Sequence, residues 1–292
     1  MTFAHAARRT GLTAVATGLL LVLAGCSAGQ QPNTGKTSQQ APQRGLPNSH
    51  VHGLTVNEAT GKPLLATHDG LFDLSANPAV RIGSGHDLMG FTAGPDHGTL
   101  YASGHPEKGS TLPDPLGLMR STDNGATWEP LSRQGESDFH ALTTTRSRIV
   151  AFDGALRLSA DGKSWQKVPV SFVPAALAGS PGGEVVLATT AEGLQRSADG
   201  GSTWTLNRAA PVLRFVAFVG NNDVVGVEPG GAVHQSSDGG GSWVRRGTLQ
   251  GEVYAIAASA GTGGAVRVWA ATSAGLLESA DGGVTFRSYS PS

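Results

Sequence analysis

A short segment that returns five times at nearly constant spacing constrains this 292-residue chain more than any other feature. Its fullest form runs from Ser121 to Trp128 and reads STDNGATW. It recurs as SADGGSTW from Ser197, SSDGGGSW from Ser236 and SADGGVTF from Ser279, with a copy one residue shorter, SADGKSW, from Ser159. The aspartates Asp123, Asp161, Asp199, Asp238 and Asp281 are 38, 38, 39 and 43 residues apart. A period near forty is the scale of one four-stranded propeller blade. A Gly-led strand precedes every copy, as at Gly193-Leu194-Gln195-Arg196, and Gly70-Leu71-Phe72-Asp73 supplies the same strand for a sixth unit without the motif. Farther upstream in each unit lie a β-prone run, such as Val266 to Ala270, and an apolar strand with small residues that suits the crowded inner edge of a blade. The 42 glycines and 16 prolines against 15% charged residues fit many tight turns and exclude long helices. The expected fold is all-β: six four-stranded blades, the ring occupying residues 49–292.

The repeats match the Asp-box, or BNR, consensus S-x-D-x-G-x-T-W, and the chain resembles the bacterial Asp-box lipoproteins described as sialidase-like or glycosylhydrolase-like, with further likeness to the sortilin-type propellers. The His-x-His-Gly-Leu start at His50 and Gly104-His105-Pro106 belong to that resemblance. It implies that the boxes sit at the periphery and are structural. The chemistry of the box agrees: Asp accepts hydrogen bonds from its own turn, Gly supplies a positive φ, and the aromatic packs back between sheets.

The amino-terminal residues carry a second signal. Arg8-Arg9 are followed by an apolar stretch from Leu12 to Leu23 and then by Leu23-Ala24-Gly25-Cys26, which resembles a lipobox. Residues 1–25 are then a cleavable signal peptide and Cys26 the lipidated residue, which also accounts for a single cysteine that no disulfide can use. The apolar run is too short for a spanning helix. Residues 26–48, rich in Gln, Ser, Pro, Gly and Thr, read as anchor and flexible tether. The expectation is an exported monomer held by lipid at the outer face of the bacterial cell membrane. A formal net charge of -1 provides no basic field for nucleic acid.

Propellers bind ligands at the mouth of the central channel, where the inner strands begin. Aligned on a shared small-apolar pair, the six inner strands place His52, Met89, His140, Ala175, Val216 and Tyr254 at one position, and His50, Asp87, Asp138, Val173, Arg214 and Glu252 two residues earlier. Seven of the nine histidines fall between His50 and His140, among them His68, His86, His97 and His105. Imidazole with carboxylate suits copper or zinc, and a thioether tilts the choice toward copper. His50, His52 and His140, with Met89 or Asp87, are therefore the candidate metal ligands. The alternative is that these histidines bond backbone groups and Met89 is packing.

The family resemblance also implies glycan hydrolysis. Sialidases grip a substrate carboxylate with three arginines and use a tyrosine nucleophile assisted by Glu, with an acid/base Asp. Here Arg81 lies near an outer strand, and Arg214 is the one basic inner-strand position. Tyr254 beside Glu252 is the sole nucleophile-like pair, with Asp87 or Asp138 as the candidate acid. The reading is a cell-surface ligand-binding module that takes a metal ion. The alternatives are an exo-sialidase-like glycoside hydrolase acting on extracellular glycans and an assembly scaffold for an envelope protein.

Overall fold

A computed structural model describes residues 45–57 and 60–291. The proposed signal peptide, Cys26 and all but the end of the tether lie outside these residues. Twenty-four strands form six sheets of four, each an antiparallel meander in which chain order and spatial order agree. Blade one comprises β1 (Val51–Asn57), β2 (Lys62–Thr67), β3 (Gly70–Asp73) and β4 (Val80–Ile82); blade two comprises β5 (Asp87–Ala93), β6 (Leu100–His105), β7 (Leu118–Ser121) and β8 (Glu129–Ser132). Blade three holds β9 (Ala141–Thr144), β10 (Ile149–Phe152), β11 (Leu156–Ser159) and β12 (Gln166–Val168); blade four holds β13 (Ala176–Gly179), β14 (Val186–Thr190), β15 (Gly193–Ser197) and β16 (Thr205–Asn207). Blade five runs through β17 (Phe215–Phe218), β18 (Val224–Val227), β19 (Ala232–Ser236) and β20 (Val244–Thr248), and blade six through β21 (Val253–Ala260), β22 (Val266–Thr272), β23 (Gly275–Ser279) and β24 (Arg287–Ser288). The protein is a six-bladed β-propeller.

Each blade shows the same gradient from core to solvent. The second strands are largely buried, VLATT in β14 and VVGV in β18 at every residue, and these two are rich in β-branched side chains, as strands covered on both faces must be. The fourth strands are polar and exposed, as in β24. Apolar clusters lie between neighbouring blades: Val225, Val227 and Val233 of blade five pack with Val268 and Ala270 of blade six.

The five Ser-x-Asp turns join the third strand to the fourth and lock each blade to the one before it. Trp128 packs against Leu64, Ala66 and Leu71 of blade one, and Trp243 against Leu187 and Leu194 of blade four. The serine hydroxyl accepts the amide of the motif glycine in all five turns, at 2.8 Å for Gly125, Gly162 and Gly201 and 2.9 Å for Gly240 and Gly283. That glycine is required sterically: a Cβ on Gly125, at φ 90°, would lie 2.2 Å from a Leu71 methyl of the preceding blade. Asp238 accepts the Ser242 amide at 2.8 Å and hydroxyl at 2.7 Å, and also the Ser236 hydroxyl at 2.7 Å. Bonding to the ionised carboxyl, the Ser242 amide foremost, pulls its pKa down to about 2.

The ring closes without a strand exchanged between its ends, since blade one is built from β1 to β4 and blade six from β21 to β24. The two ends of the ring meet by packing. Leu46, Val51, Leu54 and Leu65 bury against Ala255, Ala257, Trp269 and Ala271 in one cluster. Apolar burial at roughly 25 cal/mol per Å² supplies the closing free energy.

Candidate metal centre at the channel mouth

The inner strands line a central cavity of about 590 Å³. Its wall is largely apolar and small, with Phe91, Leu142, Leu177, Phe218 and Ile256 facing it, and His52, Met89 and His140 contribute to its lining. Three inner strands carry a register irregularity at corresponding places: between Val51 and Gly53, between Asp87 and Gly90, and between Val253 and Ala255. The residues accommodated there are His52, Leu88 with Met89, and Tyr254. A bulge re-aims a side chain that a regular pleat would direct elsewhere, so these irregularities shape the mouth.

Blades one and two assemble a compact polar group. His52 Nε2 lies 3.2 Å from Asp87 Oδ1, and His68 Nδ1 lies 2.5 Å from Asp87 Oδ2. One ligand atom from each of His52, His68 and Asp87 can be chosen so that all lie within 4.8 Å of one another. His50 stands over them, its ring centroid 4.8 Å from that of His52 and 5.7 Å from that of His68. The His52 side chain is only 7% exposed. Both His52 Nε2 and Asp87 Oδ1 are buried, and although they face each other they lack the alignment of a hydrogen bond. Burial, reinforced by the neighbouring His52 and His68, lowers the His50 pKa, against a smaller opposing pull from Asp87. Burial pushes the Asp87 carboxyl up, but the facing imidazoles of His52 and His68, the latter hydrogen-bonded to it, outweigh that push, and the net shift is downward. His50 is thus shifted toward its neutral form and Asp87 toward its carboxylate, the states in which each can bind metal.

The residues selected from sequence divide in two. His50, His52 and Asp87 come together. His140 instead joins Asp138, with Nε2 2.5 Å from Oδ2, while the same carboxylate oxygen lies 3.3 Å from His105 Nε2. Met89 shares the cavity lining with His52 and His140. Across the mouth, Arg214 approaches Glu252 at 3.8 Å. Burial raises the Tyr254 pKa, Glu252 adds to the rise, and a hydrogen bond to Ser273 opposes it.

His68 was not singled out as a ligand in the inner-strand alignment because it lies in the turn between β2 and β3. Its signal is a second, fainter repeat. Thr67-His68-Asp69-Gly70, Thr190-Ala191-Glu192-Gly193 and Thr272-Ser273-Ala274-Gly275 are the same turn in three blades. In each the threonine hydroxyl donates to the glycine carbonyl, at 3.0, 2.8 and 2.9 Å, and accepts the amide two residues on. Aligning these turns places His68 where other blades carry Ala191 and Ser273. Its amide bonds the His50 carbonyl at 3.1 Å, which fixes the turn beside the start of the inner strand.

No protein-family model matches the chain, and no curated protein matches it. Solved structures do. A GH74 xyloglucanase from Xanthomonas campestris is similar over 83% of this chain and 38% of its own, at 17% identity and a TM-score of 0.55. A GH74 enzyme from Niastella koreensis is similar over 82% of this chain and 37% of its own, at 17% identity and a TM-score of 0.59. This chain therefore spans well under half the length of those two enzymes. A gluconolactonase from Xanthomonas campestris is 12% identical over 79% of this chain and 85% of its own, with a TM-score of 0.58. The likeness is one of fold. At these identities the shared propeller leaves function to the site.

Proposed function

We propose that this protein is an exported, lipid-anchored propeller that binds a divalent transition metal ion, zinc or copper, at its channel mouth through His52, His68 and Asp87. The observation that carries the reading is the pair of buried, unbonded atoms His52 Nε2 and Asp87 Oδ1, 3.2 Å apart, with His68 completing the group. Buried polar atoms without partners are costly, roughly 1–3 kcal/mol each, and a shared cation removes that cost. Two imidazoles and a carboxylate suit zinc or copper(II), and three protein ligands leave a coordination position for water or an incoming ligand. His50, within ring contact of both ligand imidazoles, is placed to be a fourth ligand or to orient the other two. Met89 lines the same cavity, and its thioether would tilt the choice toward copper if it joined the group. The Asp-box and lipobox resemblances supply the surface setting, with Cys26 as the anchor and the boxes as rigid peripheral turns.

The test is zinc and copper titration of protein purified without a histidine tag, by calorimetry and elemental analysis, on wild type and His68→Ala. Removing a ligand should weaken binding by about 100-fold or more, since even outer-shell changes cost about 10–100-fold. Equal, weak binding by the two proteins would overturn the assignment.

A further inference from the structure

We infer that the mouth carries a second site for the same class of ion, held by His105, Asp138 and His140, in which His105 and Asp138 repeat His68 and Asp87 one blade further round and His140 is added from Asp138's own blade. The inference extends the metal reading above but rests on different residues.

The positional argument comes first. Asp87 and Asp138 share one position in the alignment of the inner-strand segments, Asp87 as the first residue of β5 and Asp138 three residues before β9. His68 follows β2 and bonds the carbonyl of His50; His105 ends β6 and pairs with Asp87 across the β5–β6 ladder. Each imidazole thus sits opposite the first mouth residue of its own blade. Each also meets the aspartate of the following blade: His68 reaches Asp87, and His105 reaches Asp138. A further histidine completes each group from a different side: His52, in β1 of the preceding blade, for Asp87, and His140, just before β9 in Asp138's own blade, for Asp138.

The local chemistry points the same way. Asp138 Oδ2 lies within 3.3 Å of one imidazole nitrogen and 2.5 Å of another, while Asp138 Oδ1 is buried and unbonded, as Asp87 Oδ1 is. His105 Nδ1 lies 2.6 Å from Asp114 Oδ1, so the Nδ1–H donates there. In the neutral ring Nε2 is then a lone pair facing a carboxylate oxygen at 3.3 Å, which is repulsive unless a positive charge stands between them. Either a second ring proton or a metal ion satisfies that geometry. A carboxylate–histidine–metal arrangement, with Asp114 orienting the ring from behind, is how proteins fix a ligand imidazole. Asp114 is delivered by residues 106–117 between β6 and β7, where blades one, four and six have the short turns around His68, Ala191 and Ser273.

The experiment counts zinc ions per chain by elemental analysis after equilibrium dialysis, with calorimetry for affinity, on wild type, His68→Ala, His105→Ala and His140→Ala. Wild type should hold two ions, and each variant one, with the lost site weakened about 100-fold or more. His140 is 61% exposed, so its replacement leaves the fold intact and serves as the check should His105→Ala misfold. One ion in wild type, lost in His68→Ala and kept in His105→Ala and His140→Ala, would overturn the second site and leave the first standing. One ion lost only in the latter two would do the reverse, and no bound ion would end both.

Discussion

The small residue at the inner edge of every blade can be tested at Gly90. It sits in β5 directly after Met89, with its backbone against β9 of blade three. A Cβ at Gly90 would fall 1.9 Å from the Phe139 carbonyl oxygen and 3.4 Å from the Leu142 Cβ. Relief needs well over an ångström of movement in a strand whose outer neighbours are buried, and the obstacle is backbone rather than a side chain that could turn away. Overpacking of this kind costs typically 1–3 kcal/mol and occasionally more, and backbone opposition puts Gly90→Ala at the upper end, about 3 kcal/mol. The loss of chain entropy in the unfolded state returns only about 0.4–1 kcal/mol. The net cost is then about 2–2.6 kcal/mol, and since each kcal/mol moves Tm by roughly 2–4 °C for a domain of this size, a drop of about 4–10 °C is expected by calorimetry. Gly53 is the matched control: it holds the same place in blade one, and its added Cβ would meet only the Phe91 side chain, at 3.3 Å. Gly53→Ala should move Tm by no more than a few degrees. A Gly90→Ala protein melting within 2 °C of wild type, or a Gly53→Ala protein equally damaged, would refute the close-approach argument.

Ser236→Ala should cost about 1–3 kcal/mol, because it strands the buried Gly240 amide that the hydroxyl now accepts at 2.9 Å; a denaturant midpoint equal to that of wild type would contradict this. Acid should destabilise the ring through its turns. Asp161, Asp199, Asp238 and Asp281 are each held near a pKa of about 2, so their contribution is present above the ordinary carboxylate range near 4 and is lost as pH falls toward 2. Melting followed from pH 5 to pH 2 should show it, and a flat profile would count against it. Tyr254 beside Glu252 is the pair on which the hydrolase alternative depends, so aryl glycoside turnover that Tyr254→Phe abolishes would restore that alternative, and its absence in wild type would count against it.

Much of this architecture could be read along the chain because its causes are local. The Ser-x-Asp-x-Gly segments form their turns from hydrogen bonds spanning two to four residues, as between Ser236, Asp238 and Ser242. Their spacing therefore reports the blade period directly, and six blades followed from five motifs and one Gly-led strand. The first half of the candidate site was legible for the same reason: His50, His52 and Asp87 lie at starts of inner strands that the shared small-apolar pair aligns. His68 was not, because its turn is marked by a threonine–glycine pair whose blade-to-blade equivalence becomes plain only once the register is known.

Sequence alone determined the repeat unit, the blade number and the concentration of histidine and aspartate in the first three units. Tertiary structure decided which of these side chains meet. Rotation about the channel axis sets the turn of one blade beside the inner strand of the next, so His68 finds Asp87 across 19 residues while His140 pairs with Asp138. It also decided that the ring closes through apolar packing of Leu46, Val51 and Leu54 on blade six, a contact between the two ends of the fold that no local pattern encodes.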